Sequence, residues 1–235
     1  MKYPHVEKAI FINRPNRFIA NVELGGNTVS VHVKNTGRCK ELLIPGCTVY
    51  LNRSENPNRK TAYDLIAVEK ICQKDKRLIN MDSQVVNDVV AEWLADGGSG
   101  QRFHTIRREV AYHKSRFDFY LENRDHKIFL EVKGVTLENN GIVSFPDAPT
   151  ERGVKHIKEL ISCLEDGFEG HILFVIQMQQ VREMRPNEKT HAEFARILRL
   201  AAEKGVGISA MDCRVMPDRI SIQSPVPVNL SAGTE

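Results

Sequence analysis

Short runs of alternating apolar and polar residues fill the first third of the chain and predict β-strands. The runs are AIFIN, RFIANVEL, TVSVHV, CTVYL and AYDLIAVEKI. A Gly25-Gly26-Asn27 turn separates two of them, and a polar loop that contains Pro57 separates the last two. Short strands packed this closely predict an OB-like β-barrel over residues 1–80, a fold that commonly binds oligonucleotides.

Helical and strand patterns alternate from residue 81 onward. Apolar residues recur at helical spacing in MDSQVVNDVVAEWLADGG, in the segment opened by Pro149 and Thr150, and in NEKTHAEFARILRLAAEKG. The apolar runs HILFVIQM and VGISAMDCRV predict buried strands. Alternation of this kind predicts an α/β (α+β) domain over residues 81–235.

Between these helices, the segment RFDFYLENRDHKIFLEVKGVTL predicts a β-hairpin that turns at Arg124 and Asp125. Side chains alternate between the two faces of a strand, so Phe117, Phe119 and Leu121 are expected to share one face. The symmetric pairing about the turn sets Asp118 directly opposite Glu131. Because like charges opposed across a ladder are destabilising, this pair calls for a compensating charge.

A hard divalent cation would supply that charge, and carboxylate oxygens suit Mg²⁺, or Mn²⁺ in its place. Lys133 falls on the same face as Glu131 and is expected to hold a phosphate or to orient an attacking water. A solvated hairpin face with scattered charges explains the same spacing and is the commoner case.

Composition narrows the class of protein only modestly. The chain has 235 residues, of which 41% are hydrophobic and 27% charged, and its formal net charge is +3, which neither demands nor excludes a nucleic-acid partner. Its five cysteines show no CxxC spacing, as expected for free thiols in a reducing cytoplasm. The absence of a signal-like segment and of any run long enough to cross a bilayer predicts a cytoplasmic protein without membrane contact.

Two basic clusters could contact phosphates. Arg152, Lys155 and His156 crowd one side of a predicted helix near its N-terminus, where free N–H groups already attract anions. Arg38 and Lys40 lie just after a predicted turn at 35–37, and they could position a nucleic acid without reading its sequence. An ordinary wet helix face and a plain strand connection are the alternative explanations.

The segments RFIANVEL, NTGRCKELLIPG, DFYLEN, FLEVKGVTL and above all SFPDAPTERGVKHIKEL resemble the sugar fermentation stimulation protein A (SfsA) family. The resemblance covers nearly the whole chain, from about Asn13 to Pro227. It implies an N-terminal OB-like domain and a C-terminal domain similar to PD-(D/E)xK nucleases, in a family regarded as DNA-binding.

The same resemblance assigns residue roles. Asp118 would be the first acid of the nuclease pattern, and Glu131, Val132 and Lys133 its ExK element. Glu109 would complete the acidic, metal-binding cluster. Thr150, Glu151, Arg152, Gly153, Lys155 and His156 match the family's TERGxKH block, which would hold the DNA backbone.

Three functions therefore compete. The first is a Mg²⁺-dependent DNA phosphodiesterase, and the second is a DNA-binding regulator of sugar catabolism genes that does not cleave. An enzyme acting on RNA or nucleotides is a weaker third, since an OB barrel holds single strands of either kind. Assembly as a homodimer is a further expectation.

Overall fold

The first six strands form a barrel in this computed structural model, which describes residues 1–35, 37–72 and 76–231. The strands are β1 (Val6–Asn16), β2 (Ile19–Leu24), β3 (Asn27–Val33), β4 (Thr48–Arg53), β5 (Tyr63–Ile71) and β6 (Lys76–Asn80). Their order is β3-β2-β1-β4-β5-β6, and a parallel pairing of β3 with β5 closes the sheet on itself. The five predicted strand runs are thus confirmed as β1 to β5.

Two glycines make the tight turn between β2 and β3. Leu24 pairs with Asn27, so Gly25 and Gly26 alone form the loop, and both have positive φ angles, of 58° and 81°. Two-residue hairpin loops favour this left-handed backbone, which glycine adopts at no steric cost. The sequence signal for this turn is confirmed.

The remaining elements build a second domain around a six-stranded sheet. They are α1 (Val86–Ala95), β7 (Thr105–Tyr112), β8 (Ser115–Glu122), β9 (Lys127–Val135), β10 (Glu138–Asn139), β11 (Ile142–Phe145), α2 (Glu151–Glu165), β12 (Glu169–Ile176), β13 (Glu183–Pro186), α3 (Ala192–Glu203), β14 (Gly207–Met216) and β15 (Arg219–Pro225). The large sheet has the order β15-β14-β12-β9-β8-β7, and β10, β11 and β13 form a small separate sheet. None of the helices in the described ranges is long and apolar enough to cross a membrane.

Strand β12 shows why a central strand of this sheet is a continuous apolar run. Ile172 and Phe174 pack in the same cluster as residues of α2 and α3, whereas Leu173 and Val175 pack in the cluster that contains α1. Because both faces are covered, both sets of alternating side chains are apolar. Its neighbours β9 and β14 run parallel to it.

The predicted hairpin is formed by β8 and β9. Its register runs from Glu122 opposite Lys127 to Phe119 opposite Leu130, as the symmetric pairing predicts. The expected face sharing is wrong for one residue. Phe117 packs in the cluster on the α2 side, whereas Phe119 packs with the α1 side. The regular alternation therefore breaks at Asp118, the residue between them.

Polar contacts join the barrel to the second domain. The backbone N–H of Asn80 donates to the carbonyl of Gln177 at 2.9 Å, and the Gln177 amide donates back to Asn80 Oδ1 at 2.8 Å. Nearby, the buried carboxylate of Glu138 binds Lys70 at 2.6 Å and Arg77 at 2.9 Å. These bonds fix the end of the barrel against the edge of the α/β domain.

Candidate active site

Asp118 lies where the ladder between β8 and β9 stops. Its Oδ2 accepts a hydrogen bond from the backbone N–H of Val132 at 2.7 Å. Its Oδ1 accepts from the side-chain amide of Asn87, on the first turn of α1, at 2.8 Å. The carboxylate is thereby held in one orientation by a strand and a helix.

Glu131 is 2% exposed and belongs to the middle of β9. Its Oε1 accepts hydrogen bonds from both Lys133 Nζ and His156 Nδ1. Its Oε2 is buried and has no hydrogen-bond partner among the described residues. An unpaired carboxylate oxygen in a protein interior is costly, and a bound cation is one way to satisfy it.

The two carboxylates influence each other's ionisation. Burial raises the pKa of Asp118, and the nearby negative charge of Glu131 raises it further. For Glu131, burial alone would raise the pKa, but the hydrogen bond from His156 and the charge of Lys133 outweigh it and lower the pKa. Glu131 thus keeps its charge, and that charge opposes ionisation of Asp118. A divalent cation between them would remove this opposition.

Mg²⁺ fits this donor set because it commonly binds proteins through one or two carboxylates and keeps several waters. Its site would be formed by Asp118 and Glu131. Across residues 1–35, 37–72 and 76–231, no three His, Cys, Asp or Glu side chains are grouped so that they could hold a metal ion. Glu109 is therefore not gathered with the other two. It is exposed on β7, between residues that pair with Phe117 and Phe119, and its φ is 53°.

The start of α2 carries the TERGxKH block. Thr150 caps the helix, its hydroxyl accepting from the backbone N–H of Gly153 at 3.0 Å. Arg152 and Lys155 are exposed, as a phosphate-binding role requires. His156 differs from expectation, because it is 4% exposed and faces Glu131. The helical repeat that buries Val154 and Ile157 carries His156 inward with them.

Arg38 and Lys40 are exposed on the loop that follows β3. Thr36, the middle residue of the predicted turn, lies outside the described residues. The loop is organised by Arg14, whose guanidinium donates to the carbonyls of residues 17, 35, 37 and 38. A Cβ on Gly37 would lie 2.0 Å from Asp147 Oδ2, so the loop approaches the segment before α2 closely.

The sequence did not predict a role for two residues at the site. Asn87 supports Asp118 from α1, and Arg14 supports the basic loop from β1. A polar residue on the first turn of a helix with an apolar face was a usable signal for Asn87, although Asp88 beside it has the same signal. Nothing local marks Arg14, because the carbonyls it binds become neighbours only when the barrel closes.

Comparison with known proteins matches both halves of the chain to family models. Residues 12–81 match a model described as the SfsA N-terminal OB domain. Residues 84–219 match one described as the sugar fermentation stimulation protein RE domain. The predicted fold, an OB-like barrel followed by a nuclease-like α/β domain, is confirmed.

Full-length relatives agree with the family models. A sugar fermentation stimulation protein homolog from Clostridium beijerinckii is 55% identical over 230 residues, covering 98% of this chain and 100% of the relative. One from Desulfitobacterium hafniense is 51% identical over 233 residues, covering 99% and 100%. The structure of Pyrococcus furiosus SfsA in complex with Ca²⁺ is similar with a TM-score of 0.83 and 28% identity, covering 97% of this chain and 98% of that one.

Proposed function

This chain belongs to the sugar fermentation stimulation protein A (SfsA) family, and we propose that it binds DNA and hydrolyses its phosphodiester bonds at a divalent-cation site in the α/β domain. The observation that carries the proposal is the buried, unpaired Oε2 of Glu131 beside the carboxylate of Asp118. The Ca²⁺ in the P. furiosus relative supports a divalent cation in this family. Mg²⁺ or Mn²⁺ is the proposed ion here.

Each side chain has a proposed task. Asp118 and Glu131 hold the cation, and Glu109, which is not grouped with them, is left out of the proposed ligand set. A cation bound there would stabilise charge on the phosphoryl group and lower the pKa of a water molecule. Lys133, already hydrogen-bonded to Glu131, carries a positive charge at the reacting phosphate and orients the attacking water. Asn87 keeps Asp118 in place.

DNA is proposed to lie across the barrel loop and the start of α2. Arg38 and Lys40 present positive charge from the first domain, and Arg152 and Lys155 from the second. These exposed side chains suit phosphate contacts, which hold a duplex or a single strand without reading its sequence. The five free cysteines support a reducing, cytoplasmic setting for this activity. A homodimer stays a prediction.

One observation favours a second candidate, a DNA-binding regulator that does not cleave. Lys133 and His156 both bind Glu131, so the charge of Lys133 and the hydrogen bond from His156 stabilise its carboxylate without a metal ion. In that case no cation would be needed, and the exposed basic side chains of the barrel loop and of α2 would bind DNA without cleaving it.

The test is cleavage by purified protein of supercoiled, linear duplex and single-stranded DNA, with Mg²⁺, with Mn²⁺ and with a chelator. Divalent-dependent cleavage of any of these substrates supports the nuclease. Binding without cleavage under all conditions supports the regulator. The absence of DNA binding would overturn both.

A further inference from the structure

A chain of hydrogen bonds connects the surface of α2 to the buried carboxylate of Glu131. Arg152 Nε lies 3.3 Å from His156 Nε2, and His156 Nδ1 contacts Glu131 Oε1. A guanidinium group can only donate hydrogen bonds, so Nε2 of His156 must accept this one. The ring proton therefore sits on Nδ1 and is donated to Glu131. The direction of every bond in the chain is fixed.

We infer that Arg152 and His156 are positioning residues that hold the carboxylate of Glu131 in its cation-binding orientation. This inference rests on the proposed function, since Glu131 is a ligand only if a cation binds. Lys133 also donates to Oε1 but through a flexible side chain, whereas the buried His156 ring is itself held by Arg152 and so prevents the carboxylate from rotating. Oε2 is the oxygen that remains for the cation.

The surroundings of His156 support a fixed ring rather than a mobile ligand for DNA. The side chain is 4% exposed, and the ring of Phe117 packs against it edge-on with 6.3 Å between centroids. A buried imidazole with both nitrogens engaged has no atom to offer a phosphate. Histidines and other groups that orient metal ligands through a second hydrogen bond are a recurring device of metal sites.

Arg152 links the proposed cation site to the proposed DNA-binding surface. Its Nε is committed to His156, while no carboxylate among the described residues pairs with its guanidinium. The outer amino groups can meet a phosphate at the same time. Lys155, one turn along the helix, instead donates to the backbone carbonyl of Lys114 and makes no contact with the carboxylate. The two basic residues of the block therefore have different tasks.

Cation affinity is the direct test, measured by calorimetry with Ca²⁺ and with Mn²⁺ in the absence of DNA. His156→Phe keeps an aromatic ring at this position but removes both nitrogens, and the expected loss of cation affinity is about 10-fold or more. Arg152→Met removes the donor to His156 and is expected to weaken binding in the same direction. His156→Gln can accept from Arg152 and donate to Glu131, so it should fall between wild type and His156→Phe.

Lys158→Met is the matched control for Arg152→Met, because it removes one positive charge from the exposed side of the same helix. Its cation affinity is expected to stay close to wild type. Equal losses in both variants would mean that net charge rather than positioning matters, and would overturn the inference. The inference would also be overturned if Arg152→Met and His156→Phe fold and bind the cation as tightly as the wild type. The proposed function would still stand in that case, because the wild type binds the cation.

The tautomer of His156 is an independent readout that needs no activity. In the full-length protein, nitrogen-15 NMR is expected to show a protonated Nδ1 and an unprotonated Nε2. In Arg152→Met the Nε2-protonated form should gain population, since the donor that excludes it is gone. A wild-type ring protonated at Nε2 would overturn the inference even if every variant failed to fold. A wild type that binds neither cation, with the expected tautomer, would instead count against the proposed function.

Discussion

Asp118 takes the place of a backbone partner for Val132: its Oδ2 accepts the Val132 N–H at 2.7 Å, one step beyond the last β8–β9 pair. The side chain thus ends the ladder and is also a proposed cation ligand. Its second oxygen is held by Asn87 at 2.8 Å. An acid at this position therefore has a structural task as well as a chemical one.

Asp118→Ala is expected to destabilise the protein by about 1–3 kcal/mol, because it leaves the buried N–H of Val132 and the amide of Asn87 without their acceptor. Asp118→Asn should cost less, since its carbonyl oxygen can still accept one of the two bonds. Urea unfolding of both variants checks the order. Equal stability of the two would show that the hydrogen bond to Val132 is unimportant.

A second prediction concerns the barrel at low pH. Burial alone would raise the pKa of Asp64, but hydrogen bonds from Arg59 and His32 and the charge of Lys34 lower it to about 2. A carboxyl whose pKa is lower in the folded state stabilises the fold above its unfolded pKa, and this contribution disappears as pH falls through the folded value. A loss of about 2 kcal/mol is expected between about pH 4 and pH 2.

Asp64→Asn should remove this part of the pH dependence and lower stability at neutral pH, where Arg59 loses its carboxylate partner and Lys34 keeps only Asp82. Urea unfolding at neutral and acidic pH measures both effects. Asp125→Asn, at an exposed position in the β8–β9 turn, is the matched control and should leave the acid transition unchanged. An acid transition in Asp64→Asn identical to that of the wild type would contradict the assignment.

The third prediction reverses the usual effect of replacing glycine in a helix. Gly→Ala normally stabilises a helix by about 0.5–1 kcal/mol. At Gly153 the new Cβ would lie 2.9 Å from Thr150 Oγ1 and Cγ2 and 3.2 Å from the fully buried ring of Phe194. Gly153→Ala is therefore expected to destabilise by about 1 kcal/mol, through crowding and a disturbed cap.

Thr150→Ser removes Cγ2 and keeps the capping hydroxyl, so it should recover part of the loss in the double variant. Thermal unfolding of the two single variants and the double variant measures this coupling. Stabilisation by Gly153→Ala alone would show that Thr150 and Phe194 can move aside.

Local patterns predicted the barrel, the β8–β9 register and the α2 cap because turns, alternation and capping residues act within a few positions. They missed β6, β7, β10, β11, β13 and β15, which form only where the tertiary fold brings partners together. At the site, spacing set Asp118 and Glu131 near each other. The helical repeat of α2 places His156 beside the buried Ile157, but spacing could not show that its partner there is Glu131, which comes from a different element.

DNA binding is predicted to be mainly electrostatic. Affinity should fall steeply with salt, and the slope of the logarithm of the binding constant against the logarithm of the salt concentration counts the phosphate contacts. This slope should become shallower by about 0.9 for every phosphate contact removed in Arg38→Ala, Lys40→Ala or Lys155→Ala. Fluorescence anisotropy over a salt series measures the slope. Lys204→Ala, at the C-terminal end of α3, removes the same charge away from the proposed surface and should keep the wild-type slope. A salt-independent affinity would contradict the prediction.

The last prediction separates an enzyme from a binding protein. Asp118→Asn and Glu131→Gln keep the side-chain shape and remove ligand charge, so cation affinity and cleavage should both collapse. DNA affinity without metal should survive or rise, because a negative charge near the phosphates is lost. Lys133→Ala should keep most of the cation affinity and lose turnover, since its charge acts on the water or the transition state. If the wild type cleaves no nucleic acid with any divalent cation while both carboxylate variants bind DNA normally, the non-cleaving regulator is the better description. The pairing of Glu131 with Lys133 and His156 is then the stable state of this carboxylate and not a prepared metal site.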